Sequence, residues 1–229
     1  MQVVLLILLA LMPVVLFCGL VVWADKYERE SYIPLLVCFG LGALAILPAI
    51  WLENGVLDAR WFDLTDTWQL FLYAFLGIAL IEEAFKAIVF FGYPYWQKFF
   101  NEPFDGVVYA VMISMGFAGV ENVLYVLESG VEAGIARALT AVPAHTTFGV
   151  LSGYYFGRSK FESKQKWALI TIGLLAVFTF HTLYDFLILQ DISQYLMLGA
   201  SISIYILSIL CFFMVRNSLY HSPFKEEKS

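Results

Sequence analysis

Long apolar runs alternate with short polar turns along the whole chain, and their spacing predicts membrane helices. The runs span Met1 to Trp23, Tyr32 to Leu52, Trp68 to Tyr93 and Phe104 to about Glu128. Three more follow, Ala136 to Phe156, Trp167 to Gln190 and Tyr195 to Val215, before a polar tail. Each is near the ~20 residues a helix needs to cross a bilayer core. The pattern predicts an all-α polytopic bundle of about seven transmembrane helices in one membrane-embedded domain, residues 1–229. Its core is expected over about 68–190, with 1–67 and 195–215 as scaffold helices and 216–229 as a cytoplasmic tail. The first run has no basic n-region, so it reads as an uncleaved helix and not a signal peptide.

The bases sort by side. Lys26, Arg29, Lys98, Arg158, Lys160, Lys164, Lys166, Arg216, Lys225 and Lys228 fall at one end of these runs, and only Arg60 and Arg137 at the other. Lysine and arginine collect in cytoplasmic loops, so the N-terminus is expected outside and the C-terminus in the cytoplasm. Composition agrees on the class: 61% of residues are hydrophobic and 14% charged, against about 45–50% and 25% in soluble domains. No basic tract suits nucleic acid. Cys18, Cys38 and Cys211 lie inside apolar runs without ligand spacing, and read as small buried hydrophobes.

Ionisable residues inside the runs carry the candidate chemistry. Glu82, Glu83 and Lys86 interrupt the third run, at a cost of roughly 2.5–3.5 kcal/mol each on insertion scales. Lys86 is four residues from Glu82 and three from Glu83, so one helix face lets it reach either carboxylate. Glu121 lies deep in the fourth run, just after Gly116 and Gly119, which bare the backbone for a close neighbour. His145 heads a stripe with Gly149, Gly153 and Gly157, a helix-contact face that points the imidazole into the bundle. Pro143 removes a backbone donor and frees the Leu139 carbonyl, so a kink is expected just before the histidine. In the sixth run His181 and Asp185 are one turn apart, as a carboxylate orienting an imidazole or as two metal ligands. Alternating helix directions put these groups in overlapping slabs between the midplane and the outer face, with Glu121, His145 and His181 about 12–14 Å from the outer ends of their runs.

Amide hydrolysis in a membrane needs an activated water and a donor for the oxyanion. Glu82 or Glu83 can serve as base, with His145 and His181 as partners. A zinc site built from His145, His181, Asp185 and Glu121 is the alternative. His-Glu-x-x-His is absent, however, and Lys86 disfavours a nearby dication, so a cofactor-free carboxylate mechanism is preferred. Intramembrane Glu, Lys, His and Asp also make proton relays, so a proton-coupled transporter is the rival class. A non-catalytic scaffold that holds a partner helix on the glycine stripe is the third.

Glu82-Glu83-Ala84-Phe85-Lys86 matches Glu-Glu-x-x-Lys, Phe117 to Glu121 matches Phe-x-x-x-Glu, and His181 to Asp185 matches His-x-x-x-Asp. In this order, with the Pro143-Ala144-His145 segment and Arg137 between them, they resemble the PrsW-type intramembrane proteases, relatives of the CAAX endopeptidases and abortive-infection membrane proteins. The resemblance covers about Leu80 to Asp185. It implies site-1 cleavage of a single-span anti-sigma factor in a bacterial cytoplasmic membrane. By matching motif, the implied catalytic residues are Glu82, Glu83, Lys86, Glu121, His145, His181 and Asp185, with Lys86 orienting or neutralising a glutamate.

Overall fold

A computed structural model describes residues 2–225, with side chains from residue 3. Met1 and tail residues 226–229, Lys228 among them, lie outside the described residues. The order is α1 (Gln2–Ala24), α2 (Tyr32–Asp58), α3 (Thr67–Leu72), a π-helical turn (Tyr73–Ala79), α4 (Leu80–Gly92), α5 (Pro103–Leu139), α6 (Ala141–Phe161), α7 (Lys166–Leu189) and α8 (Gln194–Tyr220), with 3-10 turns at Pro94–Trp96 and Ser163–Gln165. No strand occurs among the described residues.

Five helical stretches are long and apolar enough to cross a membrane: Val3–Ala24, Tyr32–Asp58, Pro103–Phe161, Ser163–Leu189 and Gln194–Tyr220. The expected count of seven is therefore not reproduced by length and composition. Two places make the difference. The 59-residue stretch turns back on itself at Gly130 (φ 81°, ψ −162°), which brings Gly134 against Val126 and Arg137 against Glu121. After a kink at Thr140 (φ −125°, ψ −69°), α6 continues along α5, Glu121 meeting His145 at one end and Gly106 meeting Gly153 and Gly157 at the other. The stretch from Thr67 to Gly92 is broken by the π-helical turn, in which the Tyr73 ring packs against Gly77.

Several boundaries also move. The fourth run ends as expected just after Glu128, at Gly130 (φ 81°, ψ −162°), where two helical segments meet; the returning segment is helical from there on, a few residues before the expected start at Ala136. Glycine alone enters that region without strain, so the chain reverses there within a very short turn. Arg137 thus belongs to α5. Pro143 falls in the first turn of α6, where no intrahelical donor is required. A kink does precede the histidine, at Thr140, just outside α6 and not within it. The carbonyl of Leu139, left free by the proline, accepts from Tyr205 Oη on α8 at 2.7 Å. The last helix runs on to Tyr220, carrying Arg216 out of the expected tail.

Helix α5 is the centre of the bundle, buried nearly all round from Phe104 to Gly119. Small residues let its neighbours close in: a Cβ at Gly116 would overlap the Phe39 carbonyl of α2, and one at Gly42 the Ile113 carbonyl of α5. The Gly149, Gly153 and Gly157 stripe of α6 lies against α5, as its spacing predicts. The outer surface is apolar, with Leu8, Met12, Leu16, Ile202, Ile206, Ile209 and Phe213 exposed. All six tryptophans are 64–76% exposed and sit near helix ends or in the turns, the arrangement of an interfacial aromatic belt. The molecule is an integral membrane protein.

Candidate active site

Two successive glutamates on α4 diverge by about 100° around the helix axis, and this decides their surroundings. Glu82 borders a cavity of about 360 Å³, together with Glu53, Glu121, Arg137, His145, His181 and Asp185. Glu83 points behind it, into packed side chains. Lys86 joins the two, its Nζ donating to Glu83 Oε1 at 2.6 Å and to Glu82 Oε2 at 3.1 Å. The lysine reaches both carboxylates at once, beyond the either-or contact its spacing predicts. The Phe117 ring, 4.4 Å from Nζ, closes the ammonium off by cation–π contact.

Helix α6 brings His145 to the same point. Its Nδ1 lies 3.1 Å from Lys86 Nζ and its Nε2 2.9 Å from Glu121 Oε2. An ammonium can only donate, so Nδ1 accepts and Nε2–H donates to Glu121. Both ring nitrogens are thereby engaged. Ser114 Oγ, from α5, donates to the His145 carbonyl at 2.7 Å and holds the segment in place. Glu121 completes its pairing with Arg137 Nη2 at 2.9 Å. The ion-pair and hydrogen-bond partners of Glu121 in the fold are thus Arg137 and His145.

His181, on α7, stacks on Phe148 with ring centroids 4.7 Å apart. Its Nδ1 is 2.9 Å from Glu83 Oε1, a contact made behind the cavity wall. Its Nε2 faces 3.2 Å to Asp185 Oδ2 and 4.0 Å to Glu82 Oε2. Asp185 Oδ2 has no hydrogen-bond partner among the described residues. The seven residues singled out from the sequence thus converge in one place, from four helices. Five of the seven, Lys86 among them, are at most 7% exposed along their side chains, and Glu121 and Asp185 are 17% and 16% exposed at the cavity wall.

Four contributors were not assigned a role by spacing. Glu53, near the end of α2, borders the cavity, so a helix expected to serve only as scaffold supplies a wall. Arg137 pairs with Glu121 and donates through Nε to Asn122 Oδ1 at 2.8 Å, while Asn122 Nδ2 donates to the Ala10 carbonyl of α1 at 2.8 Å. The signal for Arg137 was its isolation as one of two bases at the base-poor end. Tyr125 and Tyr184 also border the cavity, and nothing in their apolar context marks them.

Over residues 30–216 the sequence matches the family described as PrsW family intramembrane metalloprotease. The chain belongs to the PrsW family of intramembrane proteases. Among its relatives is the Protease PrsW of Geobacillus kaustophilus (strain HTA426), 39% identical over 165 residues, which cover 72% of this chain and 71% of the relative. The Protease PrsW of Shouchella clausii (strain KSM-K16) is 31% identical over 192 residues, 84% of this chain and 86% of the relative. That of Bacillus subtilis (strain 168) is 32% identical over 167 residues, covering 72% and 73%. No solved structure matches the chain.

The family description implies a metal ion, and the donors can be tested for one. Among the described residues of the cavity region, Glu82, Glu83 and His145 offer ligand atoms within 4.8 Å of one another. The Lys86 ammonium, however, lies 2.6–3.1 Å from all three. A dication placed there would meet a fixed positive charge at contact distance, so this donor set, as arranged, does not fit a metal.

Proposed function

We propose that the chain hydrolyses a peptide bond in a single-span membrane protein, of the anti-sigma-factor kind, through a water activated by Glu82. The observation that carries this reading is the cavity itself: Glu82 borders it, and Glu83 does not. Lys86 orients the Glu82 carboxylate and balances its charge, while Glu83 ties Lys86 and His181 into one rigid unit. Glu82 takes a proton from the water as the oxygen attacks the scissile carbonyl. His181 Nε2, 4.0 Å from Glu82 Oε2 and facing the cavity, is placed to donate to the developing oxyanion and to deliver a proton to the leaving amine. His145 has both nitrogens engaged and acts by positioning Lys86 and Glu121. Glu83 orients the His181 ring through Nδ1, and Asp185, 3.2 Å from Nε2, adds a second carboxylate beside it. Glutamic catalysis is favoured over metallo-catalysis because Lys86 already supplies positive charge at the point where the donors converge.

In this reading the chain crosses a bacterial cytoplasmic membrane seven times, with Thr67–Gly92 as the third pass and α5 and α6 as separate passes. The cavity lies toward the end that carries Arg60 and Arg137, away from the basic loops at 26–29 and 158–166. Positive-inside counting makes that end extracytoplasmic, the side on which site-1 cleavage occurs.

The test is cleavage of a co-reconstituted single-span substrate by wild type, Glu82→Gln, Glu83→Gln and His181→Ala, with and without a zinc chelator. Glu82→Gln is expected to lose about 100-fold or more in kcat, with wild-type activity surviving chelation. Full activity in Glu82→Gln would refute the assignment of the base. Loss on chelation, restored by zinc, would transfer these residues to ligand roles. Dissipation of a pH gradient in liposomes without cleavage would favour the transporter.

A further inference from the structure

At the opposite end of the bundle from the active-site cavity, the turn after α1 meets the first turn of α5 through carboxylates. Glu28, Glu30 and Asp105 offer ligand oxygens within 4.8 Å of one another. Glu30 is 8% exposed and Asp105 fully buried. In each of these two, one oxygen is anchored. Asp105 Oδ2 accepts from the backbone N–H groups of Asn101 at 2.6 Å and Glu102 at 2.9 Å, and Glu30 Oε2 accepts from Tyr109 Oη. The other oxygens are not. Asp105 Oδ1, Glu30 Oε1 and Glu28 Oε2 are shut off from solvent and accept no hydrogen bond among the described residues. Glu102, fully buried, adds a fourth carboxylate at the start of α5. Among the described residues, no lysine or arginine forms an ion pair with any of the four.

Buried carboxylate oxygens are ordinarily paired, hydrogen-bonded or bound to metal. Here anchored oxygens hold the side chains in fixed orientations while their free oxygens stay unsatisfied, the outer-shell support typical of a built ion site. The donors are all oxygen, with neither imidazole nor thiolate, which selects a hard cation over zinc. We propose that Glu28, Glu30 and Asp105 bind one hard divalent cation, Mg²⁺ or Ca²⁺, at a structural site separate from the catalytic cavity. The ion clamps the α1–α2 turn to the N-terminus of α5, the helix on which the whole bundle packs.

The experiment uses the full chain in detergent, stripped with chelator and returned to Mg²⁺, Ca²⁺ or matched ionic strength of KCl. Thermal unfolding is read for wild type, Glu28→Gln, Asp105→Asn and Glu82→Gln, and Mn²⁺ binding is counted by electron paramagnetic resonance. Wild type and Glu82→Gln should gain about 5–10 °C in Tm when the preferred dication reaches a hundred times its Kd, with one Mn²⁺ bound per chain. The comparison of Mg²⁺ with Ca²⁺ identifies which ion fits. Glu28→Gln and Asp105→Asn should lose both signals. Glu28 is only partly buried and anchors no backbone group, so its variant remains folded even where Asp105→Asn does not. A Tm that follows ionic strength alone, or an equal dication shift in all four proteins, would overturn the proposal. Carboxyl groups that share protons instead of a cation would give that first result.

Discussion

Removing the Lys86 ammonium separates the lysine-centred site from a metal-centred one. Nζ is bonded to Glu82 and Glu83 and touches His145 Nδ1, and the side chain is 7% exposed. Replacing it with methionine keeps most of the volume but leaves two carboxylates facing each other without a counter-charge. Breaking a buried pair by deleting one partner costs about 3–5 kcal/mol. For a chain of this size that corresponds to a fall in Tm of about 6–20 °C, read by scanning fluorimetry in detergent. Lys86→Ala adds a second prediction to the first. It vacates the point on which Glu82, Glu83 and His145 converge within 4.8 Å, leaving a two-carboxylate, one-imidazole donor set. Zinc should then recover several degrees in Lys86→Ala and nearly nothing in wild type, and the recovery should vanish in Lys86→Ala/Glu82→Gln. Equal zinc shifts in wild type and Lys86→Ala would refute the reasoning, as would a Lys86→Met protein that melts with wild type.

Gly116→Ala places a methyl against the Phe39 backbone carbonyl and should destabilise by about 1–3 kcal/mol, whereas Gly119→Ala meets Val14 Cγ1 at 3.5 Å and should melt near wild type; equal Tm values for the pair would contradict the close approach of α2 to α5. Tyr205→Phe removes the hydroxyl that satisfies the Leu139 carbonyl and should cost about 1 kcal/mol. Its loss should also loosen the turn at Thr140, read as faster amide exchange over residues 139–144.

Read alone, the sequence gives the membrane class and the helical fold and singles out the seven polar residues that the fold brings together, because hydrophobic run length and the expense of a buried charge are local properties. The 3.6-residue period likewise places Glu82, Glu83 and Lys86 in reach of one another, and the four-residue glycine spacing on α6 foretells a close helix contact. Tertiary structure decided the rest. Which of Glu82 and Glu83 meets the cavity depends on where α7 and α6 lie around α4, and no spacing within α4 contains that. The partner of Glu121 is Arg137, sixteen residues on, because the chain reverses at Gly130 and lays the following segment back alongside; the apolar runs imply the turn but not the pair. The π-helical turn at Tyr73–Ala79 carries no proline to announce it. Glu53 borders the cavity, and Glu30 and Asp105 come together, because helices far apart in sequence pack on α5. Burial and periodicity are written along the chain, whereas the pairing of charges is written between helices.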